Sequence, residues 1–268
     1  WKHRKGYIAK LRIWRGFYDY LFFFYLPGVN AFCGCAGQRC MALPTIVVEQ
    51  AIADELVGYL KKFAVEHQKH QGAAYERSSQ MGPVVNKGHM EFVLDWIETG
   101  IKEGAELVLD GRNPEVPEEC RNGYFIGPTI FDHVTEDMSI GSEEVFGPVL
   151  CIKRVDNFEE GLAIMNNSRF ANGSVIYTQN GYYAREFAYR TDGGMVGVNV
   201  GIPVPVGIFG FTGHKQSFFG DLHVMGRDGF AFFTETKNVT QTWFSEEGEL
   251  GGKVDTWDGT ITSLPEKE

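Results

Sequence analysis

The sequence has little of what marks nucleic-acid-binding, membrane-spanning or disulfide-stabilised proteins. Its 35 acidic residues outnumber its 25 basic ones, and the net charge of −10 argues against a nucleic-acid-binding surface. Its most apolar stretch, residues 17–26, contains Asp19 and is too short to cross a bilayer. The 5 cysteines are odd in number and irregularly spaced, which argues against a disulfide framework. They favour a reducing compartment, either the cytoplasm or the mitochondrial matrix.

Metal-binding and phosphate-binding motifs are also missing. Cys33, Cys35 and Cys40 are not followed by the second cysteine pair that structural zinc sites use, and no two histidines have metal-site spacing beside an acid. We therefore expect no metal. We predict an apolar helix from Pro27 to about Ala36 and interpret Cys33 and Cys35 as small residues of it. No G-x-G-x-x-G loop follows a strand, so the sequence has no recognisable phosphate loop for a dinucleotide.

Strand and helix patterns alternate from residue 45 to residue 200. The β-branched run at 45–49 predicts a strand, and the apolar spacing in 52–67 predicts an amphipathic helix. The same reasoning predicts helices at 85–103, 158–166 and 182–189 and strands at 105–109, 174–178 and 195–200. Such alternation predicts an α/β fold, with a largely parallel sheet flanked by helices.

Composition divides the chain into four parts: residues 1–26, 27–230, 231–244 and 245–268. In the first part several basic residues precede the first acid, Asp19, and an aromatic run comes next. This part does not match the rest of the chain, and we expect a mis-spliced or mistranslated segment, with a targeting peptide as the second explanation. The Thr-rich and aromatic residues of 231–244 predict a strand, and the last part is a polar tail.

The stretch from Asn30 to Leu43 carries the clearest chemical signal. Gly37 can adopt backbone conformations that other residues avoid, and a turn there would present Cys40 at a fixed angle. A thiolate held in this way can attack a carbonyl carbon, while the backbone N–H of the same residue stabilises the developing oxyanion. The alternative is that Cys40 is a buried packing residue without chemistry.

Two motifs resemble the aldehyde dehydrogenase superfamily. Residues 32–40 read F-x-x-x-x-G-Q-R-C, and residues 144–148 read E-V-F-G-P. The resemblance implies that Cys40 adds to an aldehyde, that hydride passes to NAD(P), and that a thioester remains on the cysteine. It also implies that Glu144 holds the nicotinamide ribose hydroxyls and that Phe146 packs beside the nicotinamide. Without the resemblance, Glu144 is a solvated loop acid and Phe146 a core aromatic residue.

Three longer segments narrow the resemblance to one branch, the coenzyme A-acylating methylmalonate-semialdehyde dehydrogenases. They are G-Q-R-C-M-A-L, V-N-V-x-I-P-V-P and F-T-G-x-K-x-S-F-x-G-D, the last with Thr212 in place of a common Gly. The resemblance implies a small aldehyde bearing a carboxylate, malonate or methylmalonate semialdehyde, and coenzyme A as the acyl acceptor. Arg39 would grip that carboxylate, although it could instead pair with a nearby acid.

The resemblance covers only the catalytic part of the family. In the family a dinucleotide-binding domain and an oxyanion-hole Asn precede that part, and neither has a counterpart in this sequence. We therefore expect this chain alone to be inactive as a dehydrogenase. In the family, strands like 231–244 join subunits, which implies a homo-oligomer, a dimer or tetramer. Two alternatives remain: a fragment that acts only by associating with subunits, and a hydrolytic aldehyde dehydrogenase.

Overall fold

The computed structural model describes residues 9–10 and 28–241. The chain divides into two compact units, Trp1–Phe232 and Phe233–Glu268. The helices are α1 (residues 28–33), α2 (Gln50–Gln68), α3 (Lys87–Glu103), α4 (Phe158–Asn167), α5 (Gly181–Arg190) and α6 (Gly226–Phe232). The strands are β1 (Ala9–Lys10), β2 (Thr45–Glu49), β3 (Glu106–Leu109), β4 (Thr129–Asp132), β5 (Val149–Val155), β6 (Phe170–Ala171), β7 (Gly173–Thr178), β8 (Met195–Val198) and β9 (His214–Lys215). Among the described helices, none has both the length and the apolar character needed to cross a bilayer.

The larger sheet has four strands in the order β2–β5–β4–β3. β2 and β4 both run parallel to β5, and β3 is antiparallel at the edge. β4 is buried along its whole length and β5 along nearly all of it, because side chains of α2 and α3 pack into the same core as the sheet. Burial on both faces is the usual situation of parallel strands, and it explains their continuous apolar sequences.

Two smaller sheets complete the described strands. β1, β7 and β8 form a parallel sheet, and β6 pairs antiparallel with β9. The prediction of a parallel-dominated α/β fold is therefore confirmed, although the strands divide among three sheets. β1 belongs to the segment 1–26 that we predicted not to match the rest. The remainder of that segment and the predicted tail, 245–268, lie outside the described residues.

Asparagine side chains begin three of the helices. The side chains of Asn86, Asn157 and Asn180 accept hydrogen bonds from backbone N–H groups in the first turns of α3, α4 and α5. These bonds satisfy donors that have no partner within a helix. α3 ends at Gly104, whose φ of 93° lies in the left-handed region that glycine tolerates.

Two predicted elements differ from the structure. The helix predicted to extend to Ala36 ends at residue 33. Cys35, predicted as a helix residue, lies instead in a turn and has a left-handed φ of 54°. The strand predicted at 231–244 does not form in its described part, because residues 231–232 complete α6 and residues 234–241 carry no strand assignment. Thr and aromatic residues favour a strand where a neighbouring strand is available to pair with, so context decides this segment. Its predicted role in joining subunits stays a prediction.

Candidate active site

A cavity of about 430 Å³ lies beside the cysteine-containing loop. Its lining includes Cys40, Glu144 and Asn172, which come from three separate parts of the chain. Cys40 is exposed. The structure therefore brings together Cys40 and Glu144, two of the residues selected from the sequence, and it presents the thiol to solvent.

The turn before Cys40 has an unusual backbone. Cys35, Ala36 and Gly37 have φ angles of 54°, 54° and 72°, all in the left-handed region. Cys40 then lies in a tight turn closed by a hydrogen bond of 3.0 Å from the backbone N–H of Ala42 to the carbonyl of Arg39. Within the described residues, the backbone N–H of Cys40 donates to no acceptor, so it is available to an oxyanion.

Gly37 joins the two sequence motifs in space. A Cβ atom at Gly37 would lie 2.0 Å from the carbonyl oxygen of Gly147, so the backbones of the cysteine turn and the E-V-F-G-P loop are in direct contact. Gly147 in turn packs against Val93 of α3, whose side chain would lie 2.7 Å from an added Cβ. Gly37 is therefore required by close backbone approach, and Gly147 leaves room for the side chain of Val93.

Gln38 ties the cysteine turn to the segment that precedes α3. Its side-chain carbonyl accepts a hydrogen bond of 2.9 Å from the backbone N–H of Val85, and its amide donates to the carbonyl of Cys35 at 3.1 Å. This role was not predicted from the sequence, where Gln38 was considered only as part of the G-Q-R-C motif. No local signal in the sequence identifies Val85 as its partner.

Glu144 and Phe146 lie on the same loop in different environments. Glu144 is exposed and makes no ion pair or side-chain hydrogen bond with any residue that the structure describes, whereas its neighbour Glu143 pairs with Arg169. Phe146 is an exposed aromatic residue with a φ of 54°, and its carbonyl oxygen lies 2.8 Å from Nε2 of His89 on α3. The loop thus offers an unpaired carboxylate and a partly exposed ring, whose neighbour is the His89 ring at 6.5 Å between centroids.

Arg39 contacts Cys35 and Gly34 and does not line the cavity. Its Nε donates to Sγ of Cys35 at 3.1 Å, and its guanidinium lies over Gly34, where an added Cβ would be 2.1 Å from Nη2. The alternative that Arg39 pairs with a nearby acid has no support among the described residues, where no carboxylate lies within ion-pair distance of it. The structure does not place Arg39 with Cys40 and Glu144 in the cavity.

Asn172, between β6 and β7, touches the cysteine residue directly. Its side-chain amide donates a hydrogen bond of 2.9 Å to the carbonyl of Cys40. No sequence motif singled out this residue. Only the spatial meeting of its strand connection with the cysteine turn reveals the contact.

The F-T-G-x-K segment packs against Gly194, the residue that precedes β8. A Cβ at Gly194 would lie 2.6 Å from Cα of Gly213, and the hydroxyl of Thr212 donates to the carbonyl of Gly194 at 2.5 Å. Lys215 donates to the carbonyl of Ser168 at 3.0 Å, just after α4, and pairs with Asp192 at 2.7 Å. These contacts give the F-T-G-x-K segment a structural role beside the site.

Three of the other four cysteines are buried, unlike Cys40. Burial raises the pKa of the Cys33 thiol well above its ordinary value and raises the pKa of Cys151 to about 12. Cys120 is buried as well, whereas Cys35 and Cys40 are exposed. Because the thiolate is the nucleophilic form, buried thiols with raised pKa values are poor nucleophiles.

Comparison with known proteins identifies the family of this chain. The sequence model of the Aldehyde dehydrogenase family matches residues 27–239. The chain belongs to the aldehyde dehydrogenase family. The match covers the cysteine turn, the E-V-F-G-P loop and the F-T-G-x-K segment, and it leaves out the first 26 residues.

Several members of the family that resemble this chain are semialdehyde dehydrogenases. Malonate-semialdehyde dehydrogenase 1 of Oceanobacillus iheyensis is 46% identical over 217 residues, which are 81% of this chain and 44% of the relative. The crystal structure of a methylmalonate-semialdehyde dehydrogenase from Sinorhizobium meliloti, complexed with NAD, has a TM-score of 0.80 and 41% identity over 84% of this chain and 45% of that one. A methylmalonate-semialdehyde dehydrogenase from Oceanimonas doudoroffii has a TM-score of 0.79 and 38% identity, covering 85% and 46%. The chain therefore spans less than half the length of these relatives.

Proposed function

We propose that this chain is the catalytic part of a dehydrogenase that oxidises malonate or methylmalonate semialdehyde and transfers the acyl group to coenzyme A. The observation that carries the proposal is the shared cavity, in which an exposed thiol at Cys40 and an unpaired carboxylate at Glu144 line the same space. The names of the relatives supply the substrate class.

Cys40 is the nucleophile in this proposal. Its thiolate forms a bond to the aldehyde carbon, and the carbonyl π electrons move to the oxygen, where the backbone N–H of Cys40 can donate a hydrogen bond. After oxidation the acyl group is held as a thioester on Cys40. The thiolate of coenzyme A then displaces the Cys40 thiolate, which gives an acyl-coenzyme A and restores the enzyme.

NAD is the proposed cofactor, and Glu144 and Phe146 would hold its nicotinamide half. The residues fit this role, because the Glu144 carboxylate can accept two hydrogen bonds from a ribose diol and Phe146 offers an exposed ring. NAD supplies the hydride acceptor when bound. Because the sequence contains no phosphate loop, the rest of the cofactor needs binding groups from outside the matched region.

Arg39 remains the proposed anchor for the substrate carboxylate. Its guanidinium has no carboxylate partner among the described residues, so it is free to accept one from a ligand. In the arrangement described above it bonds to Cys35 instead, so anchoring requires the side chain to turn towards the cavity. Introduced into a fusion that supplies the missing N-terminal part of a relative, Arg39→Gln should then raise KM for a carboxylated aldehyde and leave KM for propionaldehyde unchanged.

The test compares the 268-residue chain with a fusion protein. The fusion joins residues 27–268 to the part of the Oceanobacillus iheyensis relative that precedes its matched region. We expect no NADH from the chain alone with malonate semialdehyde and coenzyme A, and NADH formation from the fusion that is lost in Cys40→Ala. NAD reduction by the chain alone would contradict the expectation that it is inactive, and a fully active Cys40→Ala fusion would refute the role of Cys40.

Coenzyme A dependence separates the acylating reaction from hydrolysis. If the fusion forms NADH at the same rate without coenzyme A and releases a free acid, the hydrolytic alternative is correct. The other alternative, a fragment that only associates with subunits, is favoured by the chain's short span and by exposed apolar side chains at 204–209. It predicts that the chain co-purifies with a full-length relative whether or not Cys40 is present.

Oligomeric state and compartment belong to the same proposal. We propose a homo-oligomer, either dimer or tetramer, in the cytoplasm. The relatives compared above are bacterial, so they give no support to the mitochondrial alternative.

A further inference from the structure

We propose that Asn172 is a positioning residue for Cys40; the proposal rests on the function of Cys40 given above. The side-chain Nδ2 of Asn172 donates to the carbonyl oxygen of Cys40 at 2.9 Å, across 132 residues of sequence. Asn172 also lines the cavity that Cys40 lines. It therefore contacts the backbone of the nucleophile itself.

The backbone of Asn172 is held from two sides. Its carbonyl accepts a hydrogen bond of 3.0 Å from the N–H of Met195 at the start of β8. The preceding residue, Ala171, donates to the hydroxyl of Ser217 at 3.0 Å and accepts from the N–H of Gly194 at 3.0 Å. Because these bonds fix the backbone, the position of the Asn172 side chain is set by the fold.

The Asn172 side chain also has a polar atom that makes no hydrogen bond within the described residues. Its Oδ1 is buried and has no hydrogen-bond partner among the described residues, and a Cβ at Gly213 would lie 3.1 Å from it. Burying an amide oxygen without a donor is unfavourable, and an apolar side chain would avoid that penalty. What the asparagine provides at this place is the donated hydrogen bond to Cys40.

Fixing the carbonyl of Cys40 fixes the direction of its side chain. Cys40 lies inside the turn that Ala42 closes onto Arg39, and that turn has only one backbone hydrogen bond of its own among the described residues. A second bond from Asn172 to the Cys40 carbonyl restricts ψ of Cys40, and with it the direction in which Sγ enters the cavity. Positioning of this kind matters because small displacements of a nucleophile strongly reduce reaction rates.

The experiment measures the reactivity of Cys40 in the chain itself. Alkylation by iodoacetamide is followed at each cysteine by peptide mass spectrometry as a function of pH, and hydrogen exchange is followed in peptides covering residues 39–43. The variants are Asn172→Ala and Asn172→Asp. The matched controls are Asn166→Ala and Asn166→Asp, because the Asn166 amide also donates to a backbone carbonyl, that of Arg190, at 2.8 Å.

Asn172→Asp keeps the size of the side chain and replaces the donor with a negative charge beside Cys40. Other ionisable residues line the same cavity, namely Glu143, Glu144, Lys153 and Tyr177, and Arg39 precedes Cys40 in the sequence. All variants share these groups, so the new Asp charge is the only electrostatic difference. We expect the pH midpoint of Cys40 alkylation to rise by about one unit. Asn172→Ala should speed exchange in residues 39–43 at least threefold, and the Asn166 controls should change neither measurement.

Reactivity of the buried thiols Cys33, Cys120 and Cys151 reports whether a variant is folded. Folded Asn172 variants with unchanged pH midpoint and unchanged exchange would overturn the proposal. If the variants do not fold, the unmodified chain gives the answer. Alkylating Cys40 should then shift the side-chain amide resonances of Asn172 more than those of Asn166, and equal shifts would overturn the proposal.

Two kinds of failure remain distinguishable. An unreactive Cys40 in the unmodified chain contradicts the proposed function, and this inference with it. A reactive Cys40 that does not respond to either Asn172 variant overturns this inference alone.

Discussion

Cys35 and Ala36 adopt a backbone conformation that is unfavourable for any residue with a Cβ. Each such residue costs about 1–2 kcal/mol in the left-handed region. Three hydrogen bonds oppose this cost at Cys35: its carbonyl accepts from the backbone N–H and the side-chain amide of Gln38, both at 3.1 Å, and its Sγ accepts from Nε of Arg39 at 3.1 Å. Strain persists where surrounding contacts over-determine the conformation, and here it lies in the turn that leads to Cys40, the proposed nucleophile.

Gly37→Ala should destabilise the chain by at least about 2 kcal/mol, since it adds a left-handed alanine to a steric overlap. The new Cβ would lie 2.0 Å from the carbonyl oxygen of Gly147, at a φ of 72°. Urea denaturation followed by circular dichroism measures the effect.

Gly58→Ala is the matched control for that substitution. Gly58 is exposed in the interior of α2, and an added Cβ would meet nothing within 4 Å. An alanine there should stabilise the helix by about 0.5–1 kcal/mol. Equal stability of the Gly37→Ala and wild-type chains would mean that the cysteine turn and the E-V-F-G-P loop are not in close contact.

Sequence reasoning selected the residues that belong to recognisable motifs, Cys40 and Glu144 among them. It could not identify Gln38, His89 or Asn172, because their roles depend on partners 47, 57 and 132 residues away. A motif records which residue types occur together along the chain. It does not record which distant backbone group a side chain will reach.

At the level of elements, local patterns predicted most strands and helices of the first unit. The strand predicted at 45–49 was confirmed as Thr45–Glu49, and the helix predicted at 85–103 as Lys87–Glu103, with Gly104 ending it. The predictions that were wrong concern α1, which ends early, and 231–244. In both places the surroundings decide the conformation against the local pattern.

A buried ion pair joins two strands of the larger sheet. Arg154 on β5 donates to both carboxylate oxygens of Asp132 on β4, at 3.0 and 2.6 Å. Burial alone would raise the pKa of Asp132, but the hydrogen bonds from Arg154 hold it below its ordinary value. The pair therefore stabilises the fold above about pH 4, and that contribution is lost as the pH falls further.

Arg154→Met should reduce the free energy of unfolding at pH 7 by about 3–5 kcal/mol, because it leaves a buried carboxylate without its partner. Lys69→Met is the control, since it removes an ion pair with Glu66 in which both side chains are mostly exposed. That variant should show no measurable change. A similar effect of both substitutions on urea denaturation would contradict the assignment of Asp132 and Arg154 as a buried pair.

The buried His67 on α2 makes the free energy of unfolding depend on pH. Burial lowers the pKa of this histidine. Above about pH 6.5 the His67 ring is neutral in both the folded and the unfolded state. Below that pH the unfolded state binds a proton first, so the free energy of unfolding decreases as the pH is lowered. The slope from this one group is at most about 1.4 kcal/mol per pH unit.

His67→Gln should remove this dependence between pH 7 and pH 5. Denaturation at pH 8, where the wild-type ring is neutral in both states, measures the packing effect of the substitution and serves as the control. The remaining difference between the two proteins should shrink as the pH is lowered. A constant difference from pH 8 to pH 5 would mean that His67 does not couple to folding.

At the level of the whole molecule, the chain has exposed apolar side chains in and near residues 204–209. It spans 44–46% of the relatives compared above. Val204, Val206, Ile208 and Phe209 are exposed, and the neighbouring segment adds exposed Val224, which lies opposite Phe211 in a β-bridge. Apolar patches of this kind usually mark surfaces that another chain or domain covers.

We therefore expect copies of the chain to associate through this apolar surface. Replacing Val206 and Ile208, 72% and 76% exposed, by Asp should shift sedimentation velocity profiles towards the monomer. Val85 and Tyr75 are 74% and 81% exposed but lie elsewhere in the sequence, so replacing both by Asp adds the same charge as a control. Because negative charge alone also favours dispersal, the decisive quantity is the difference between the two double variants. Equal sedimentation of the two would show that residues 204–209 form no contact between copies of the chain.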